Sequence, residues 1–313
     1  MKKQWYTDPI IFCVFASWAV AFVFIKMALS GDGGFSPLAF LWPRMFLSAL
    51  IMFALLPLIR QPVHVPRKHI GKTIMIGVVG LGSYHLLFTI ALSMTTPVDT
   101  ALIIGTGPVM TALWMPLFGM PKPKRRAWVG ITLCFATVAT IALYGAGEHP
   151  TAKQKWDTER LLGDLIMLVA SNCWALNGIL CRRAVPYLKP TTITAWGMLW
   201  ASAALLPVCL YSMCTQDWMA ITPGKWACFF YAVMPASTLS VVFFYFGVKK
   251  VGPLHTIIYQ NASPVITALF VCFLTRFEET PNVAQIAGLF LIFLGVYLTR
   301  TSKPRVPDEP LDP

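Results

Sequence analysis

Long apolar stretches, separated by short polar segments, dominate the pattern along this chain of 313 residues. A transmembrane helix needs about 20 predominantly apolar residues to cross the hydrocarbon core of a bilayer. The stretches here are too long and too continuous for barrel strands, which alternate polar and apolar side chains over about ten residues. The pattern predicts ten transmembrane helices, at residues 9–29, 37–59, 71–92, 97–118, 127–145, 161–182, 191–211, 226–248, 253–274 and 282–299.

The longest connection, residues 146–160, is polar and charged, and it divides the ten helices into two sets of five. We therefore predict a first five-helix repeat at 1–145, an external linker at 146–160, a second repeat at 161–300 and a cytoplasmic tail at 301–313. The fold class is an all-α membrane protein. Because each repeat has an odd number of helices, the second repeat enters the membrane from the opposite side, which makes the pair inverted.

Residue identities recur between the two halves at a constant offset of 156. In the first helices of the two halves, the matched residues are Asp8, Trp18 and Lys26 with Asp164, Trp174 and Arg182. In the fourth helices of the two halves, the matched residues are Thr100, Pro108, Val109, Thr111, Ala112 and Leu113 with Thr256, Pro264, Val265, Thr267, Ala268 and Leu269. Many secondary transporters are inverted repeats with a substrate site near the middle of the membrane between the copies.

Composition agrees with a lipid environment. Hydrophobic residues make up 57% of the chain and charged residues only 12%, with a mean hydropathy of +0.65, whereas soluble domains carry about 25% charged residues. The net charge of +12 does not indicate nucleic-acid binding, because the basic residues lie in short loops between apolar stretches. With the N-terminus inside, 18 Lys and Arg residues fall on the inner side and 5 on the outer side. This asymmetry predicts that both termini are cytoplasmic.

Several chemistries lack a sequence signal. The eight cysteines form no CxxC pair and fall mostly within apolar stretches, so we interpret them as buried apolar side chains rather than metal ligands. The chain has no GxxxxGK[ST] loop, and ATP is therefore not expected to drive it. We expect no metal, no cofactor and no enzymatic activity.

The residues that carry the repeat also resemble a known family. Residues 16–26, ASWAVAFVFIK, look like the first helix of EamA-type transporters of the drug/metabolite transporter superfamily, and residues 161–176, LLGDLIMLVASNCWAL, look like the sixth. Pro108 and Pro264 stand where that family has a proline in its fourth and ninth helices, and Arg44 resembles the arginine of its second helix. The resemblance covers residues 5–300. It implies ten helices, an inverted repeat, and transport of amino acids or related metabolites.

Polar and aromatic residues inside the apolar stretches are the candidates for a substrate site. Arg44 lies about 10 Å into its helix, where a guanidinium needs partners, so it either binds substrate or bonds to backbone carbonyls. His85 follows Tyr84 in mid-helix and is either a buried neutral histidine or a group for substrate or proton binding. The predicted substrate-binding set is Trp18, Arg44, Tyr84, His85, Trp174, Asn177, Tyr259, Gln260 and Asn261.

Residues near the helix ends and breaks form a second candidate group, for gating. Lys26 shares a helical face with Trp18 and either extends to the lipid headgroups or lines one mouth of the pathway. Pro108 and Pro264 complete this predicted gating or mouth set.

These features predict a secondary transporter in the bacterial inner membrane that moves amino acids or similar carboxylate-bearing metabolites outward. Its partners would be the small substrate and the lipid bilayer, without nucleic acid, and a homodimer is left open. No Asp or Glu lies deep in an apolar stretch, which argues against the first alternative, an exporter of cationic or neutral drugs. A membrane enzyme or receptor is the second alternative.

Overall fold

A computed structural model describes residues 7–120, 128–130, 132–133, 136, 158–274, 283, 286–291, 294 and 297. Every regular element in this part of the chain is helical. Within the described residues, seven helices are long and apolar enough to cross a membrane: α1 (Thr7–Leu29), α2 (Pro37–Leu58), α3 (Arg67–Met94), α4 (Pro97–Phe118), α5 (Thr158–Ala184), α6 (Pro190–Thr215) and α7 (Pro223–Val251). An eighth segment, α8, spans 253–274 and includes the apolar helix Ser263–Leu274.

These eight segments coincide with eight of the ten predicted stretches. The predicted helices at 127–145 and 282–299 lie largely outside the described residues. Where the structure describes them, at 128–130 and 286–291, the backbone is helical. The count of ten therefore stays a prediction, while the all-helical architecture is established.

Proline places the start of most helices. α2, α4, α6, α7 and α8 each begin at a proline, whose fixed φ suits the first helical turn and whose missing N–H has no intrahelical partner to lose there. Thr96 adds a side-chain cap to α4 by accepting a hydrogen bond from the Asp99 amide at 3.1 Å, which satisfies one of the unpaired amides at a helix start. Apart from the stretch between α4 and α5, the connections between these helices are short, but the most extensive packing joins helices that are not consecutive, such as α2 with α6 and α3 with α5.

Two helices contain π-helical segments at related positions. α3 is π-helical over Ile76–Gly82 and α7 over Ala232–Leu239, and their first residues are separated by the 156-residue offset found in the sequence. α4 is broken at 105–106, and the 3₁₀ turn Tyr259–Ala262 occupies the related part of α8. π segments inside α-helices are rare and frequently mark functional sites.

Small residues allow the helices to approach closely around these segments. α3 packs along α5 and α6, and α2 packs along α6. A Cβ on Gly77 would lie 2.6 Å from the Gly197 carbonyl oxygen of α6, and a Cβ on Gly80 would lie 2.6 Å from Asn177 Oδ1 of α5. Any side chain at either position would force α3 away from its neighbours, so these glycines set the helix spacing.

Candidate functional site

Aromatic rings from four helices meet at the centre of the bundle. Trp18 of α1 and Trp174 of α5 are in edge-to-face contact, with ring centroids 5.1 Å apart. The Tyr84 ring of α3 lies 4.8 Å from Trp174, and the Phe244 ring of α7 lies 4.7 Å from it. Such contacts add stability beyond area burial alone, and they hold the two tryptophans, which the sequence offset relates, at the contact between the halves.

The Trp18 indole also has a specific polar partner in the π segment of α7. Its Nε1–H donates to the Ala236 carbonyl oxygen at 2.7 Å. Other side chains occupy carbonyls of the same segment: Thr238 and Ser48 both donate to Val233, at 2.7 and 3.2 Å. Side chains thus donate hydrogen bonds to carbonyl groups of this irregular segment, and buried carbonyl groups need such partners.

Arg44 and His85 form a polar pair beside the rings. Arg44 follows Pro43 inside α2 and is 1% exposed; its guanidinium stacks 5.4 Å from the centre of the Phe40 ring. Its Nη2 lies 3.0 Å from His85 Nδ1. His85 comes three residues after the π segment of α3 and is 7% exposed. Two polar atoms of the pair, Arg44 Nε and His85 Nε2, have no hydrogen-bond partner among the described residues.

A cavity of about 30 Å³ opens between these groups, enough for one or two ordered waters. Five residues predicted for the substrate site line it, and seven others complete its wall. The lining residues are Trp18, Ala21, Phe22, Ile25, Arg44, Tyr84, His85, Phe88, Trp174, Ala236, Ser237 and Val241. Arg44 contributes the only formal charge among them, so the cavity wall is apolar, aromatic and positively charged.

Two other predicted residues are buried outside the cavity lining. Asn177 Oδ1 accepts a hydrogen bond from the Tyr245 hydroxyl at 3.0 Å, on the face of α5 that meets Gly80. Gln260 Nε2 donates to the Ile104 carbonyl oxygen at 2.9 Å, across 156 residues of sequence. Both amides therefore join helices to each other in this arrangement of the bundle.

The remaining predicted residues lie near the breaks in α4 and α8. Tyr259 is half-buried and packs against the core, outside the lining of the cavity, and the Asn261 side chain lies outside the described part of the chain. Pro108 and Pro264 are buried in the helical segments that resume after the two breaks. A proline in the first turn starts such a segment without losing an intrahelical hydrogen bond.

Lys26 lies at one end of the bundle rather than in the cavity. Its Nζ donates to the carbonyl oxygens of Leu92 and Ser93 at 3.1 and 2.9 Å. These are among the last carbonyls of α3, where the partial negative charge of a helix end favours a cation. Lys26 consequently ties α1 to the end of α3.

A buried charge network at the same end was not predicted from the sequence. Arg160 of α5 donates to Asp99 Oδ2 through Nε at 3.0 Å and through Nη2 at 2.5 Å, and Asp99 is fully buried. The Thr95 hydroxyl donates to Asp164 Oδ1 at 2.5 Å. The spacing of Thr96 and Asp99, a hydroxyl three residues before a carboxylate at a helix start, was the available signal.

Part of the cavity wall consists of residues outside the predicted substrate-binding set. Phe22 and Phe88 contact each other with centroids 5.6 Å apart, and Ser237 contributes a hydroxyl from the π segment of α7. A hydroxyl in an apolar stretch is a weak signal by itself. No group of three or more His, Cys, Asp or Glu side chains within the described residues is arranged to hold a metal ion.

Comparison with known protein families identifies the chain. The model of the EamA-like transporter family matches it twice, over residues 5–143 and 161–301. The chain belongs to the EamA-like transporter family. The resemblance noted in the sequence is thereby confirmed, and a multi-pass membrane transporter agrees with the long apolar helices of the structure.

Relatives of this EamA protein occur in bacteria and archaea. It is 29% identical to the uncharacterized transporter YyaM of Bacillus subtilis over 77% of this chain and 76% of the relative. It is 27% identical to an uncharacterized transporter of Archaeoglobus fulgidus, covering 90% and 93% of the two chains. An S-adenosylmethionine/S-adenosylhomocysteine transporter of Chlamydia muridarum is 25% identical over 68% of this chain and 66% of its own.

A solved crystal structure shares the fold. It superimposes with a TM-score of 0.66 at 16% sequence identity and covers 95% of this chain and 96% of its own. At that identity the likeness concerns the fold alone. The agreement over nearly the whole of both chains places the described helices within a known architecture.

Proposed function

We propose that this EamA-family protein is a secondary transporter that exports amino acids or similar small carboxylate-bearing metabolites across the bacterial inner membrane. The observation that carries the proposal is Arg44, a buried guanidinium in the wall of the central cavity. Among the described residues no carboxylate forms a salt bridge with it; the single such bridge joins Arg160 and Asp99. A charge kept in a membrane interior without an opposite charge is costly, and such residues usually serve a substrate pathway.

The sign of this charge favours an acidic substrate. A carboxylate that accepts two N–H groups of an arginine forms a bidentate, charge-assisted pair. A cationic drug would instead meet a positive charge in a wall that offers no carboxylate, so the alternative of a cationic drug exporter is disfavoured. The Chlamydia relative named for S-adenosylmethionine and S-adenosylhomocysteine supports this class, because both molecules carry the carboxylate of an amino acid.

The architecture proposed for transport is a pair of inverted repeats, residues 1–145 and 161–300, on either side of a linker at 146–160. The family match in two parts and the π segments at the 156-residue offset support it. The cavity is too small for a metabolite, so substrate access requires the helices around the two π segments to move apart, as in alternating access. The charge asymmetry of the loops supports cytoplasmic termini, which a reporter fused after residue 313 would test.

The proposal is tested by binding of matched compounds to the purified protein. Trp18 and Trp174 border the cavity, so tryptophan fluorescence should report a ligand there. We expect L-phenylalanine, L-methionine or S-adenosylmethionine to bind at least about tenfold more tightly than its decarboxylated amine, because the amine leaves the guanidinium without its partner. The carboxylate class is contradicted if acids and amines bind equally, or if no acid in the panel binds.

Arg44→Lys sharpens this test. Lysine keeps the charge but loses the planar fork, so we expect affinity for the acids to fall by about tenfold or more while the protein stays folded. The matched control is Arg60→Lys, which makes the same replacement at an exposed arginine and should leave affinity unchanged. Counterflow of radiolabelled amino acids in proteoliposomes then measures transport by each variant.

A further inference from the structure

The hydrogen bond between Arg44 and His85 fixes the protonation of the imidazole. An arginine has only donors, and it stays charged in proteins. His85 Nδ1 lies 3.0 Å from Arg44 Nη2, so Nδ1 must accept and its lone pair is in use. In an imidazolium, Nδ1 would also carry a proton. That N–H would point at the guanidinium, and two like charges would face each other. His85 is therefore neutral, with its proton on Nε2.

The proton on Nε2 makes His85 a donor toward the cavity. His85 lines the cavity, and its Nε2 has no hydrogen-bond partner among the described residues. Arg44 Nε is likewise buried and lacks a partner. Buried donors of this kind are uncommon, because an unsatisfied polar group costs free energy. The wall formed by α2 and α3 thus offers two unused N–H donors, one charged and one neutral.

Within the described lining of the cavity, no other group that titrates near neutral pH faces His85. Among the cavity-lining residues, the titratable or charged groups are Arg44 of α2 and Tyr84 of α3, besides His85 itself. The neighbouring cation of α1, Lys26, bonds to the carbonyls that end α3. α5 contributes Trp174 to the wall, and α7 contributes Ala236, Ser237 and Val241, none of which titrates near neutral pH.

We propose that His85 is a specificity-determining residue that binds the substrate carboxylate as a neutral donor beside Arg44 and takes no part in proton coupling. This inference rests on the proposed function, since it assigns a second ligand to the carboxylate that Arg44 attracts. One carboxylate can accept from both donors at once. Because the donor is neutral and held by Arg44, affinity should not change with the titration of a histidine.

Binding of L-phenylalanine, L-methionine and S-adenosylmethionine to His85 variants tests the assignment. His85→Gln supplies a carbonyl oxygen to accept from Arg44 and an amide N–H to donate, so we expect affinity within about threefold of the wild type. His85→Leu removes the donor, and affinity should fall by about tenfold or more. His64→Leu, at an exposed histidine, is the matched control and should bind as the wild type does.

A direct measurement keeps the test independent of any substrate. In protein with ¹⁵N-labelled histidine, the His85 signal, assigned by its loss in His85→Gln, should show the tautomer protonated at Nε2 from pH 5.5 to 8. Titration of this signal in that range, or equal losses of affinity in the Gln and Leu variants, would overturn the inference and leave the Arg44 proposal standing. Equal binding of acids and amines by the wild type would instead remove the proposed function, and this inference with it.

Discussion

Two arginines are buried in the part of the chain that the structure describes, and their environments are opposite. Arg160, near the start of α5, places two nitrogens within 3.0 Å of Asp99 Oδ2, and Asp99 also accepts from the Thr96 hydroxyl at 2.8 Å. Arg44, at the centre of the bundle, has a neutral histidine as its polar partner and one nitrogen without any. One positive charge is neutralised within the protein, and the other is not.

This difference separates architecture from function. Burying an ion pair costs desolvation, and the attraction and hydrogen bonds between its members offset most of that cost. The Arg160–Asp99 pair therefore serves to tie α4 to α5. A buried charge without an opposite charge keeps its desolvation cost until a ligand supplies the missing partner. We therefore expect substitutions at the first site to change stability and substitutions at the second to change binding.

Asp99→Ala should give the largest effect on stability. It leaves the Arg160 guanidinium buried without its carboxylate, and breaking a buried pair in this way costs about 3–5 kcal/mol. Thermal unfolding in detergent measures the loss. Asp32→Ala removes an exposed carboxylate and serves as the control, with no measurable change expected.

The double variant Asp99→Ala/Arg160→Leu distinguishes lost charge balance from lost packing. Replacing both members of a buried pair by apolar groups is often close to neutral, so the double variant should recover much of the stability that Asp99→Ala loses. If Asp99→Ala is as stable as the wild type, the Arg160–Asp99 pair contributes nothing to stability. The difference in role between Arg160 and Arg44 would then be contradicted.

The contrast also shows what the sequence makes predictable. Eight of the ten predicted helices agree with the structure, because a run of about 20 apolar residues is the length that crosses the hydrocarbon core of a membrane as a helix. Trp18 and Trp174, related by the offset, do meet, and Arg44 and His85 lie together in one cavity. Polar residues in apolar stretches stand out without any knowledge of tertiary contacts, so the sequence singles these residues out.

Other residues show where one-dimensional reasoning ends. Asn177 and Gln260 are predicted for the substrate site, but they lie outside the cavity lining and join helices through bonds to Tyr245 and Ile104. The prediction of a linker through residue 160 places Arg160 in a loop, but the structure has it in α5 and only 8% exposed. Its partner Asp99 lies 61 residues earlier, a contact that no local pattern reveals.

Lys26 provides an intermediate case between the two arginines. Its ammonium is compensated by carbonyls at the end of α3 rather than by a full negative charge. We expect Lys26→Met to cost about 0.3–1 kcal/mol, the usual contribution of a cation at a helix end. Unfolding in detergent measures it, and substrate affinity should stay at the wild-type value. A loss of affinity comparable with that of Arg44→Lys would instead place Lys26 in the substrate pathway.

Arg44→Met should have only a small effect on stability, although it removes a fully buried charge. Methionine is unbranched and apolar, so it can fill the space over Phe40. The loss of the bond to His85 costs about 0.5–1.5 kcal/mol, and removal of a desolvated, uncompensated charge offsets that cost. The free energy of unfolding should therefore change by less than about 1 kcal/mol, while acid binding measured by tryptophan fluorescence disappears. A loss of stability as large as that of Asp99→Ala would mean that Arg44 is a structural tie like Arg160, and the reason for assigning it to a substrate carboxylate would be gone.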